Sequence, residues 1–181
     1  TSTAPSSSTV DATALSTGET EVTNSESGIN TLHRAAMHGS LDTLKMLIED
    51  NIVDGTSTMP NLNSALHISS QRGMLHIVNY LISHPSLTLD VNAQNEFGLS
   101  PLHFACIGGY SDVASALLSK DASPSLSTAS QATPLHLAAG AGSHEICEML
   151  TGSSLGIDLW AEDCDGEGAV EYVNYWMTVQ R

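Results

Sequence analysis

With 181 residues, 41% of them hydrophobic but only 4% aromatic, the chain can bury one core, built from Leu, Ile, Val, Ala and Met. Five basic residues against twenty acidic ones give a formal charge of −15, which argues against direct binding of nucleic acid or an anionic membrane surface, since both need Lys and Arg to neutralise phosphate. No apolar run approaches the ~20 residues that span a bilayer, and the opening TSTAPSSSTV has neither the charged nor the apolar stretch of a signal peptide.

Residues 1–27 hold fourteen Ser or Thr, and the first basic residue is Arg34. So little apolar surface does not offset the entropy of ordering, so this segment is expected to be a flexible, acidic, low-complexity tail. Ser8, Ser16 and Thr23 each precede an acid by three residues. That pattern suits an acid-directed kinase and arises as easily by chance in such a composition.

From Gly28 the texture changes to short helical patterns separated by turns. His33, His67, His103 and His136 are spaced by 34, 36 and 33 residues. A glycine follows each by six (Gly39, Gly73, Gly109, Gly142), and a leucine lies eight beyond each glycine (Leu47, Leu81, Leu117, Leu150). Three coincident registers mark an internal repeat. In each unit an N-capping residue comes first: Asn30, Ser64, Ser100, Thr133. Pro101 and Pro134 follow at the first helical position, which tolerates proline. Two small residues then sit one turn past each His: Ala35–Ala36, Ser69–Ser70, Ala105–Cys106 and Ala138–Ala139. They let a neighbouring helix approach closely. The glycine closes that helix in a left-handed cap. A second helix follows with apolar residues at helical spacing, such as Ile77, Val78, Leu81 and Ile82.

These units resemble ankyrin repeats, whose period is about 33 residues with a Thr-Pro-Leu-His-x-Ala signature. The likeness is closest in TPLHLAA from Thr133 and in DVNAQNEFGLSPLHFA from Asp90, and extends over roughly residues 28–173. Thr31 and Ala65 depart from it, standing where the signature has proline. The resemblance implies an all-α solenoid of helix–turn–helix units with hairpin connections, occupying residues 28–181. Its repeats are expected at about 30–62, 63–98, 99–131 and 132–165, with a worn terminal cap at 166–181 in which Val170 and Glu171 align with Leu135 and His136.

The resemblance also assigns the four periodic histidines a structural role, each ring bonding backbone in the turn of a neighbouring repeat. The other histidines, His38, His76, His84 and His144, follow no metal-binding spacing. Cys106 lies one turn after His103, but in a packing slot where a buried thiol is inert. EDCDGEG, Glu162–Gly168, resembles a calcium loop, yet Asn174 stands where the twelfth-position Glu would be needed. Turn chemistry explains Asp163, Asp165 and Gly166 without an ion. No catalytic motif, cofactor loop or metal set is recognisable, so no enzyme activity, cofactor or metal is expected. Three cysteines, an odd number in no paired spacing, and the absence of a glycosylation sequon suit an intracellular, cytoplasmic or nuclear compartment.

What remains is a surface. Solenoids bind partners along the concave face, and positions just before each glycine are expected to line it: Met37, His38, Gln71, Arg72 and Ile107. Hairpin tips would add Glu96, Phe97, Gln131, Asp163 and Asp165. Phe97 is the candidate anchor, the alternative being that it folds back on a neighbouring turn. Residues 145–171 carry eight acids, and no basic residue lies between Lys120 and Arg181. This charge either steers a basic segment of a partner or forms a solvated face. The expected function is non-catalytic protein binding by a monomeric scaffold, adaptor or inhibitor. The alternative is a regulatory region of a larger transcriptional regulator or signalling enzyme.

Overall fold

The computed structural model describes residues 31–50, 58–85, 87–152, 157–169 and 171. The Ser/Thr-rich tail, the cap residue Asn30 and most of the segment expected as a terminal cap lie outside the described residues.

Eight helices follow in sequence: α1 (Thr31–His38), α2 (Leu41–Glu49), α3 (Ala65–Gln71), α4 (Leu75–Ser83), α5 (Pro101–Gly108), α6 (Ser111–Leu118), α7 (Pro134–Gly140) and α8 (His144–Gly152). The described residues form no named strand, only isolated bridges Thr58–Ser64 and Glu162–Gly168. The chain is an all-α solenoid, with four helix pairs among the described residues. The helices are 7 to 9 residues long, too short to persist alone in water. Packing holds them. The inner helices stack as α1 on α3 on α5 on α7, each packed against its own outer helix, and α4, α6 and α8 follow one another behind them.

The periodic residues supply that core. Leu32, Leu66, Leu102 and Leu135 on the inner helices, and Leu47, Leu81, Leu117 and Leu150 on the outer ones, are all buried. The small pairs Ala35–Ala36, Ser69–Ser70, Ala105–Cys106 and Ala138–Ala139 are buried as well, where larger side chains would hold neighbouring helices apart. Gly39, Gly73, Gly109 and Gly142 all adopt positive φ, between +66° and +70°, and turn the chain from inner to outer helix.

Ser64, Ser100 and Thr133 cap their helices as expected and gain a second, reciprocal bond. The backbone N–H of Ser64, Ser100 and Thr133 donates to Nδ1 of the histidine three residues on, at 3.1, 3.0 and 3.1 Å. Imidazole thus takes the reach-back part that Glu or Gln usually plays in a capping box. The three hydroxyls lie 2.8 Å from the same nitrogen.

Candidate interaction surface

Because Nδ1 of His67, His103 and His136 accepts a backbone N–H, these rings carry their proton on Nε2, and all four periodic rings bond through Nε2 into the next repeat. His33 reaches the Asn63 carbonyl at 3.0 Å, His67 those of Ala93 and Leu99 at 3.0 and 3.2 Å, His103 that of Leu126 at 3.1 Å, and His136 that of Glu167 at 3.2 Å. Asn63, Leu99 and Glu167 each stand immediately before the start of the next inner helix. The rings are therefore staples between consecutive units. Burial lowers the pKa of His67, and pushes that of His103 down to about 4, favouring the neutral ring that this arrangement requires.

The hairpin connections are equally regular. Tight turns close at Met59–Leu62, Asn95–Gly98, Thr128–Gln131 and Asp163–Gly166, with the fourth N–H donating to the first carbonyl at 2.8 to 3.0 Å. The fourth residue has positive φ in every case: Leu62 (+63°), Gly98 (+75°), Gln131 (+62°) and Gly166 (+77°). Between tips runs a backbone ladder. The N–H of Glu96 donates to Asn61, that of Ala129 to Phe97, and that of Cys164 to Ser130, at 3.2, 2.9 and 3.0 Å. Side chains stiffen the tips further. Asn95 Oδ1 accepts from the N–H groups of Phe97 and Leu99, both at 2.9 Å, and its amide donates to Asn63 Oδ1 at 2.9 Å.

The residues expected to meet a partner divide into two kinds. His38, Gln71, Arg72, Glu96, Gln131 and Asp165 are exposed, as are Ile107 (47%) and Phe97 (57%). Phe97 does not fold back: its backbone is pinned on both sides while its ring faces solvent. Met37 is half-buried and packs against the core. Asp163 is half-buried and committed to its own turn, its Oδ1 accepting from Asp165 and Glu167 N–H at 2.9 and 3.1 Å. The N–H of Glu167 is the main reason its carboxyl pKa is lowered.

Two exposed apolar side chains of the hairpin connections escaped the sequence reading. Leu62, 50% exposed, sits on the tip beside that of Phe97, and Trp160, 77% exposed, stands on the turn before the last tip. Neither belongs to the helical periodicity that singled out the rest, though both fall in turn segments, where an apolar residue has no core to enter.

The groups with chemical potential are otherwise engaged. Cys106 and Cys147 are buried and Cys164 is exposed; burial raises the thiol pKa of the first two. Among the described residues no three His, Cys, Asp or Glu side chains gather as metal ligands, and no helix is long and apolar enough to cross a membrane.

Comparison with known proteins agrees with this geometry. A family profile described as ankyrin repeats (3 copies) matches residues 6–95 and 85–163. Among curated relatives, the palmitoyltransferase AKR1 of Lachancea kluyveri is 36% identical over 108 residues, 58% of this chain and 14% of its own. Human transient receptor potential cation channel subfamily A member 1 is 29% identical over 123 residues, 68% of this chain and 11% of its own. The ankyrin repeat and KH domain-containing protein mask-1 of Caenorhabditis elegans is 28% identical over 130 residues, 71% of this chain and 5% of its own. The chain thus spans only a small part of the length of these relatives. With a family profile matching most of its length, the chain belongs to the ankyrin-repeat family.

Proposed function

We propose that this chain is a non-catalytic binding module that engages one face of another protein through its hairpin tips and the exposed ends of its inner helices. The observation that carries this reading is Phe97, an aromatic ring 57% exposed on a tip whose backbone is bonded to the tips on either side. A rigid, exposed aromatic loses little entropy when a partner covers it, the usual condition for an interface hot spot. Glu96 on the same tip, and Gln71, Arg72 and Ile107 at the ends of the inner helices, would add polar and apolar contacts, Asp165 extends the row of tips, and Gln131 presents its amide from a left-handed turn position. The four staple histidines and the closing glycines hold the surface in place and do not touch the partner. The interacting body is residues 28–181, and the protein works as a monomer in the cytoplasm or nucleus.

Capture of binding proteins by the full chain tests this. Phe97→Ala and Gln71→Ala should each lose the partner while helix content by circular dichroism stays unchanged. A partner retained by both variants would show that the recognition surface lies elsewhere.

A second reading has its own support. The relatives devote 5 to 14% of their length to the matching region, so the module also fits as the regulatory part of a longer protein whose activity resides outside these residues.

A further inference from the structure

We infer that the loops closing the inner helices, with Tyr110 at their centre, dock a partner segment that pairs an acidic side chain with an apolar neighbour. The inference rests on the reading of the chain as an interaction module and adds the chemistry of what it recognises.

The first observation is how Tyr110 is held. A Cβ built on Gly73 would run into Cδ1 and Cε1 of its ring, and one built on Gly108 into Cδ2 and Cε2. The ring is thus wedged between the loop of the second unit and the helix end of its own. Its backbone is fixed as well: the Tyr110 N–H donates to the Ala105 carbonyl at 3.0 Å, and the Tyr110 carbonyl accepts from the Ala114 N–H at 2.9 Å. Yet the side chain is 37% exposed, and its hydroxyl has no partner among the described residues. A tyrosine fixed in advance has little rotamer freedom left to lose on binding, and this one keeps an unused donor. Both glycines lie in the middle of the stack, between helices α1 and α2 on one side and α7 and α8 on the other.

The second observation is what stands beside the ring. Arg72 immediately precedes Gly73, and Ile107 immediately precedes Gly108. A cationic and an aliphatic side chain therefore start from the backbone at opposite edges of the ring. Both are exposed, and Arg72 has no ionic partner among the described residues, although the chain has twenty acids to five bases. Gly140, in register with Ile107 one unit on, leaves open space, since a Cβ there would meet nothing within 4 Å.

The third is charge. Residues 37–40, 71–74, 107–110 and 140–143, which close the four inner helices, include no Asp or Glu, and with histidine neutral Arg72 is their one charge. The inner helices contain no acid either. Exposed acids lie instead on the outer helices, as Asp42, Asp112 and Glu145, and on the connections, as Glu96 and Asp121.

Together these select the occupant. A carboxylate suits the Arg72 fork and the Tyr110 hydroxyl, and an apolar neighbour covers Ile107. The rest of the chain, at −15, repels an acidic segment and so confines it to this place. A second copy fits poorly, because it would bring two strongly acidic bodies together. Nucleic acid needs a run of cations, and these loops have one.

The experiment selects from a random dodecapeptide library displayed on phage, with the full chain immobilised at physiological salt. Peptides that pair Asp or Glu with Leu, Ile or Phe should be enriched, whereas diffuse attraction to so acidic a chain would collect Lys and Arg. Arg72→Glu, a change to an exposed side chain without partners, should abolish that enrichment. For a selected peptide titrated calorimetrically, Arg72→Gln should weaken binding about tenfold. Tyr110→Phe, which keeps the wedge and removes the hydroxyl, should weaken it about threefold. Absent or basic enrichment, or equal affinity in Arg72→Gln, would overturn the inference. So would sedimentation in which the parent self-associates and Arg72→Glu does not. Such failures leave the Phe97 surface standing, because that surface is judged by partner capture; a Phe97→Ala variant that keeps its partner leaves the peptide result intact.

Discussion

Tyr110 lies directly over Gly73. A Cβ placed on that glycine would come within 2.5 Å of the Tyr110 ring, and the glycine itself sits at φ +66°. The same back-packing recurs in the stack, with Met74 against Gly39 and Ser143 against Gly109. Of these three helix-closing glycines, Gly73 is the one covered by a rigid ring. Gly73→Ala should therefore destabilise the protein by about 2 to 3 kcal/mol, combining left-handed strain with a clash. Urea unfolding of Gly73→Ala, Tyr110→Ala and the double variant would separate the two. The double variant should recover the steric share and keep the backbone share; a loss in it as large as the sum of both singles would contradict the clash.

Ser70 is fully buried on α3, and its hydroxyl has no hydrogen-bond partner. Alanine occupies the matching place in the first and fourth units, as Ala36 and Ala139. Ser70→Ala should raise stability by about 1 kcal/mol, since it removes a desolvated group that gains nothing in return. The neighbouring Ser69→Ala is the control. Its hydroxyl already donates to the Leu66 carbonyl at 3.1 Å, so no gain is expected there.

Leu62 and Gln131 hold left-handed conformations at the turn position that Gly98 and Gly166 fill in the other tips. Such a conformation costs a side chain with a Cβ more than it costs glycine. Leu62→Gly and Gln131→Gly should each stabilise by about 0.5 to 1 kcal/mol, read as a rise of a few degrees in Tm. If Gln131→Gly gained stability but lost the partner, its strain would be tied to recognition.

Acid should loosen the stack through its staples. An unfolded histidine titrates near 6.5, whereas buried His103 does so at about 4, so the unfolded chain binds more protons between these values. Stability is then fully present above about pH 6.5 and falls as pH drops toward about 4, by up to about 3 kcal/mol for this ring. His67, shifted in the same direction by burial, adds to the slope. Denaturant midpoints measured across that range should fall less steeply in His103→Gln than in the parent.

Cys164 is exposed on the last tip, while Cys106 and Cys147 are buried. A thiol reagent should label one site per folded molecule promptly and the other two only as the chain unfolds. Prompt labelling in Cys164→Ser would point to opening around α5 or α8.

The helix pairs were legible because their constraints repeat. A histidine, two small residues, a glycine and a leucine at fixed offsets state where a helix begins, how closely it packs and where it ends. The tips were legible only in part. Gly98 and Gly166 announce a left-handed turn residue, but Leu62 and Gln131 do so against their own preference, and no local rule reveals it. Asp163 was read both as turn chemistry and as a tip contact, and its carboxylate closes its own turn. Trp160 went unremarked because periodicity detects residues that enter the core, and this one stays out of it. The ladder from Asn61 to Cys164 depends on backbone positions alone, which side-chain patterns do not encode.

His67, His103 and His136 are oriented by their own units, and His33, His67 and His136 bond carbonyls in equivalent places just ahead of the next unit, those of Asn63, Leu99 and Glu167, while His103 bonds that of Leu126. Residues of one unit are thus interchangeable with those of another at the seams. Excising residues 99–131 in phase would bring Ala132 to the place of Leu99 and leave His67 a carbonyl to hold. A cut of half that length would strand one ring and leave an inner helix without its outer partner. Gain or loss of segments by recombination is therefore tolerated in whole periods and ruinous in fractions of one.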